Sequence, residues 1–281
     1  MLPVMGPSPS QEIAQLFKQP DHDVNLGQAA CAIARLEYPA FDLSSCLDRI
    51  DDFASAASSM LSAGPEPDSA VKAINRLMFE NLGFRGNHDD YYDARNSCIN
   101  DVLERRTGIP ITLSVVYLEI ARRLGLPIYG VGLPSHFLVK YDDGSKLFFI
   151  DPFHEGRSLT REGCRDMLKQ LHGRPVELTD LHFAAVENRQ IVTRMCSNLR
   201  SIYLTNCEYQ KALETVEIIL ALAPNSAEDL KQRAWIKHEL GQRNAALEDL
   251  EAYAAIRPDG QDSEEIQAWM TNIRRTMAQL N

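Results

Sequence analysis

No stretch of this 281-residue chain is long and apolar enough to cross a bilayer. The best candidate, Ile111 to Ile120, is interrupted by Glu119 and followed by Arg122 and Arg123. The opening residues, MLPVMGPSPS, lack both the basic start and the apolar run of a secretory leader. The six cysteines stand singly at 31, 46, 98, 164, 196 and 207, with no CxxC pair, no zinc spacing and no dense disulfide framework. They read as reduced thiols of a cytoplasmic protein. The seven histidines include no HxxxH or HExxH arrangement, so neither a metal nor a cofactor is expected. Basic residues are also outnumbered: 29 Lys plus Arg stand against 39 Asp plus Glu, a net charge of -10. Such a surface repels phosphate backbones and anionic lipid, so neither a nucleic-acid nor a membrane partner is expected.

What is present is ordinary globular material, 44% hydrophobic and 24% charged, in a length that suggests about two domains. Residues 1–10, rich in Pro and Ser, read as a loose tail, and Gln11 to Lys18 as a short helix. Leu26, Ala29, Ala30, Ile33 and Leu36 recur at helical spacing until Tyr38-Pro39 stops them. Asp42 is placed to cap a second helix through Leu43, Leu47, Ile50 and Phe53. A turn is expected over 63–68, then a third helix over 70–81 ending at Gly83. The segment 86–96 is polar, aromatic and loop-like. Helices over 96–105 and 111–124 follow, with Pro110 suited to the first turn of the second. Past Gly125 the chain turns to short β-rich runs at 128–133, 137–141 and 146–150, the last two joined by the hairpin signal Asp142-Asp143-Gly144. Helices followed by a strand meander describe an α+β domain.

From about residue 187 the chain is helical again and repeats itself. Ala212-Leu213 aligns with Ala246-Leu247, Glu217 with Glu251, and Pro224-Asn225 with Pro258-Asp259, an offset of 34. That is the tetratricopeptide period, and a Pro closing each helix pair belongs to the same pattern. The expected layout is therefore a tail over 1–10, an α+β domain over 11–186 (helical part 11–95, core 96–186), and all-α repeat helices over 187–281.

The densest information lies between Gly83 and Phe153. The motifs NS-x-x-N-x-VL-x-RR-x-GIP, LG-x-P-x-x-GVG-x-P-x-HFLV and IDPF stand in order there. Together they resemble the SirB-type family, a transglutaminase-like core followed by tetratricopeptide repeats, over roughly residues 25 to 281. The resemblance implies a papain-like core with a small antiparallel sheet and a Cys, His and Asp site. It places the base at His136, heading one strand, and the orienting carboxylate at Asp151, ending the next. It places the nucleophile at the start of the 111–124 helix, where this chain has Pro110. A proline has neither a nucleophile nor an N–H to donate.

Other residues enter as candidates beside that pair. Cys98, twelve positions before Pro110, is either a substitute thiol or a core residue. Thr112 and Ser114 carry hydroxyls that either face the His–Asp pair or bond their own backbone. His154 either reaches the same site or stands in solvent. Arg105 suits a carboxylate partner among Asp93, Asp101 and Glu104, or a bound anion. Asn96 and Asn100 either cap the 86–96 loop or line a pocket.

Two functions stay open at this point. One is an interaction scaffold built on a silent transglutaminase-like core. The other is a protease- or amidase-like hydrolase or acyl transferase that uses His136 and Asp151 with Cys98 or a water as nucleophile. Either way a protein or peptide partner is expected on the C-terminal helices.

Overall fold

The computed structural model describes residues 7–61 and 67–280. The turn expected over 63–68 lies mostly outside them. The chain divides into two compact units, one over residues 19–195 and one formed by the N-terminal residues through Lys18 with those from Cys196 onward.

Helix α1 (Pro9–Leu16) starts two residues inside the expected tail, because Ser8 caps it: Gln11 N–H donates to Ser8 Oγ, and Ser8 N–H donates to the Gln11 side chain at 3.1 Å. In the larger unit, α2 (Leu26–Ala34) and α3 (Leu43–Ser59) start at Asn25 and Asp42, each side chain accepting from an N–H of the first turn. Helix α4 (Pro67–Asn75) continues into a π-helical turn over Arg76–Asn81, and the chain leaves it at Gly83 with φ +70°. A two-residue strand β1 (Arg85–Gly86) follows. Helix α5 (Ile99–Arg105) starts three residues later than the sequence suggests, because a 3-10 turn occupies Ala94–Asn96. Strand β2 (Thr107–Gly108) pairs in parallel with β1.

Helix α6 (Pro110–Arg123) is the centre of this unit. Every residue from Pro110 to Ala121 is buried, and a helix apolar all round belongs in a core. Its one buried charge, Glu119, is answered by Arg122 at 3.2 Å and Arg123 at 2.5 Å. Small residues let α2 approach: a side chain on Gly27 would meet Glu119 Oε2 at 2.7 Å.

The strand meander forms as expected and is one strand longer. Strands β3 (Ile128–Leu133), β4 (His136–Asp142), β5 (Leu147–Asp151) and β6 (Arg157–Leu159) make an antiparallel sheet in sequence order. Asp143 shapes the β4–β5 turn by accepting from the N–H groups of Ser145 and Lys146, both at 2.8 Å, with Gly144 at φ +84°. Val131, Leu133, Leu138, Phe149 and Leu159 form an apolar cluster with Cys164 and Leu168 of α7 (Arg161–His172) and with Phe183. Helix α6 packs on β3, on β4 and on the turn after β5.

Helix α8 (Asn188–Thr205) leads into α9 (Tyr209–Leu222), α10 (Ala227–Glu239), α11 (Arg243–Ile256) and α12 (Ser263–Leu280). The repeat is accurate to the residue, since α9 and α11 start and end 34 positions apart. Their preceding residues, Glu208 and Gln242, share φ/ψ near -84°/60° and -81°/60°. Cys207 at φ +57° holds the left-handed position that Gly241 fills in the next repeat at φ +75°. Asp249, buried in this unit, accepts from Arg233 Nη2 at 2.6 Å and pairs with Lys237 at 2.8 Å. Helix α1, which the sequence grouped with the first domain, packs on α9.

Five cysteines are buried and Cys207 is exposed. Cys31 and Cys46 bring their sulfurs to 2.6 Å, and that contact together with burial pushes the Cys31 thiol far up. A thiol reagent is therefore expected to modify Cys207 alone in the native protein and all six sulfurs in denaturant, counted by mass. Asn75 supplies a second check. It donates to Gly156 O at 3.0 Å and accepts from the fully buried Tyr117 hydroxyl at 3.0 Å. Asn75→Ala strands both partners and should cost about 1–3 kcal/mol of unfolding free energy in urea titration.

Candidate functional site

The hairpin that carries His136 turns in two residues, Pro134 and Ser135. Leu133 pairs with His136 across the ladder, and Ser135 takes φ +57°. Arg194, from α8, holds this tip. Its Nη1 donates to Leu133 O at 3.0 Å and its Nη2 to His136 O at 2.8 Å, while its guanidinium carbon lies 5.5 Å from the centre of the Phe137 ring. Burial lowers the Arg194 pKa. The pleat puts His136 on the same sheet face as Leu138 and Val131. Asp151 ends β5 on the face that carries Phe149.

Asp151 is wholly buried and its two oxygens serve four donors. Oδ1 accepts from the N–H groups of Phe153 at 3.0 Å and His154 at 3.3 Å, so the carboxylate caps the 3-10 turn Pro152–His154. Oδ2 lies 3.0 Å from His136 Nε2 and 2.7 Å from His154 Nδ1. Burial alone would raise this carboxyl, but the hydrogen bonds from His136 and His154 outweigh it and hold the group well below the usual carboxylate range. An ionised carboxylate only accepts, so the facing ring nitrogens carry the protons. In neutral His136 that tautomer leaves the lone pair on Nδ1. The bond to Asp151 raises the His154 pKa against the opposing effect of burial.

Rings pack around the three groups. Phe153 stands 6.0 Å from His136 and 5.2 Å from His154, centre to centre, and His88 lies 4.5 Å from Phe153 and 5.7 Å from His154. Tyr91 approaches Phe153 at 6.3 Å. Gly86 has to be a glycine, because a side chain there would meet the Phe153 ring at 2.6 Å.

The remaining sequence candidates have definite places. Asn96 holds the loop: its Nδ2 donates to Asp90 O at 2.7 Å and Tyr91 O at 3.3 Å, and its Oδ1 accepts from Asn87 at 3.0 Å. Arg105 donates to Asn96 Oδ1 at 3.3 Å and stands 3.6 Å from Asp93, an internal ion pair. Thr112 commits its hydroxyl to Asn96 O at 2.7 Å and accepts from Ile109 N–H at 3.1 Å. The Ser114 hydroxyl is buried and has no hydrogen-bond partner among the described residues. Pro110 is the first residue of α6. Cys98 stands at the N-cap position of α5 with no side-chain cap bond, is fully buried, and lies within electrostatic reach of the Tyr38 hydroxyl. Asn100 lines a cavity of about 700 Å³ together with Tyr38, Cys46 and Asp101. Burial and the Asp151 charge push the thiol of Cys164 up to about 12, so it is protonated at neutral pH.

The sequence reading missed Arg194, His88, Tyr91 and Phe153 as parts of this site. The polar, aromatic character of 86–96 was the available signal for His88 and Tyr91. Nothing marked Arg194, which bonds a carbonyl 58 residues away.

The profile of the transglutaminase-like superfamily matches residues 44–197, and a tetratricopeptide-repeat profile matches 199–271. A protein of Xylella fastidiosa called UPF0162 is 34% identical over 258 residues, 90% of this chain and 91% of that one. F-box only protein 21 of Mus musculus is 32% identical over 200 residues, 67% of this chain but 31% of its own length. A solved structure of menin covers 94% of this chain and 74% of its own at a TM-score of 0.45 and 10% identity, a likeness too low to support any statement.

The shifts at the site set two opposite pH dependences. The depressed Asp151 contributes stability that is full above its ordinary value, about 3.9, and is lost as pH falls through the lower folded value. The raised His154 contributes stability that is full below about 6.5 and is lost as pH rises through its folded value. An NMR titration should find His154 above about 6.5 in the native protein and lower in Asp151→Asn. An unchanged midpoint in that variant would contradict the assignment.

Proposed function

Because the chain belongs to the transglutaminase-like superfamily and continues into tetratricopeptide repeats, we propose that it is a hydrolase or acyl transferase acting on amide or ester bonds of a protein or peptide held by the repeat helices. The observation that carries this reading is the 3.0 Å contact of His136 Nε2 with a buried, ionised Asp151. It leaves Nδ1 as the working base of His136, held in orientation from below by the carboxylate and from the backbone by Arg194.

The nucleophile is a water. Nδ1 takes a proton as the water oxygen attacks the carbonyl carbon, and returns it to the leaving nitrogen or oxygen as the acyl bond breaks. Acid and amine, or acid and alcohol, are the products, and an acyl transferase replaces the water with an acceptor amine or hydroxyl. Cys98 is the alternative nucleophile. Repeat helices supply the stacked faces on which a peptide segment binds. His154 and Phe153 touch the pair and set its position.

A second reading is favoured by Pro110. With no thiol at the start of α6, the core is a silent scaffold and the repeats carry the whole function.

Hydrolysis of aryl esters and peptide anilides by the purified chain separates the two. The enzyme reading expects turnover above the buffer rate that falls by about 10²–10⁴ in His136→Ala. Cys98→Ala divides the nucleophiles, because retained turnover assigns a water and lost turnover assigns the thiol. Failure of the wild-type chain to exceed buffer with both substrate classes would leave the scaffold.

A further inference from the structure

The site holds more than a base and its carboxylate. His136, Asp151 and His154 each offer a ligand atom within 4.8 Å of the other two, and Asp151 Oδ2 lies 3.0 Å from His136 Nε2 and 2.7 Å from His154 Nδ1. Both ring nitrogens are aimed at the same oxygen, so their in-plane directions converge on one region of space. We propose that these three side chains form a binding site for a divalent transition-metal ion of the zinc class, and that the bound ion switches the base off.

The donor set fits such an ion. Two borderline imidazole nitrogens beside one hard carboxylate oxygen make a set suited to zinc and its neighbours, because calcium and magnesium take oxygen ligands almost throughout. Ligand distances of about 2.0–2.2 Å in a tetrahedron place ligand atoms roughly 3.3–3.6 Å apart. The contacts of 2.7 and 3.0 Å are slightly tighter than that, so a small withdrawal of Oδ2 makes room for the ion. The supports needed around ligands are also built. Two backbone N–H groups hold Asp151 Oδ1, Arg194 fixes the backbone at His136, and Phe153 packs against both histidine rings. Three protein ligands leave a fourth position open on the side of His154, the half-exposed member.

The regulatory consequence rests on the hydrolase reading, whereas the binding does not. Coordination needs the lone pair of His136 Nε2, so the ring proton moves to Nδ1. That nitrogen is the one left free by the Asp151 contact. Once protonated it accepts nothing, and the ion also takes the oxygen that oriented the ring.

The test uses the full chain with Cys207→Ser, which removes the exposed thiol as a competing ligand, freed of metal with a chelator. Zinc chloride is titrated by calorimetry, and cobalt chloride by visible absorption. One ion per chain and a tetrahedral cobalt spectrum are expected, with affinity at least about tenfold weaker in His154→Ala and in His136→Ala. Circular dichroism checks that each variant keeps the fold, and His154, the half-exposed ligand, is the milder substitution. Absent binding, or binding unchanged in both variants, overturns the site. If zinc binds as expected and the wild type hydrolyses nothing, the hydrolase reading fails while the site stands. If the wild type hydrolyses substrate and zinc at saturation leaves the rate unchanged or raises it, the off-switch fails alone. Loss of the rate with zinc and its recovery with chelator support both.

Discussion

A carboxylate with no exposure to water is stable only when its oxygens are fully engaged, and Asp151 meets that condition with four donors. Removing an ion from water costs several kcal/mol, so each of those donors is held in place by the need to answer the charge. Two donors are backbone, and they wind Pro152–His154 into a 3-10 turn. The turn throws Phe153 beneath Gly86 and brings His154 back to Oδ2. The return of His154 to Oδ2 and the close approach of Phe153 to Gly86 both follow from the turn that this charge caps. The same charge fixes which nitrogen of His136 carries a proton, and so which one is free to act.

The hairpin on the other side is restrained differently. A two-residue turn with Ser135 at positive φ is costly for a residue with a Cβ, and Arg194 offsets that cost by donating to the carbonyls on both sides of the turn. Burying a guanidinium is itself unfavourable, and the lowered Arg194 pKa records it. Stability is thus given up at the tip of β4 to keep an imidazole where it is, while the apolar cluster over the sheet and α6 beneath the turn supply the surplus.

How much of this was legible follows from the range of the forces involved. Short-range signals carried well. Asp42 as a cap, Pro110 at a helix start, the Asp142–Gly144 hairpin and the 34-residue repeat all depend on residues within one turn of each other or on a fixed period, and all appear where the sequence puts them. His136 and Asp151 were legible as strand ends flanking a hairpin. His154 stood open between solvent and site, because only the turn capped by Asp151 decides it. Arg194 and Asn75 were illegible. Each bonds a backbone carbonyl more than fifty residues away, and no local pattern encodes such a contact.

The start of α6 contributes framework around His136 and Asp151. A proline at the first helical position costs the helix nothing, because the N–H it lacks has no partner inside the helix. The neighbouring hydroxyl of Thr112 is committed to Asn96 O, and through Asn96 to the loop that carries Tyr91. Neither residue can attack a carbonyl, yet both hold the frame around His136 and Asp151. Asp151 therefore stays an answered charge whatever stands at position 110, because its four donors come from β4 and the turn after β5 and none from α6.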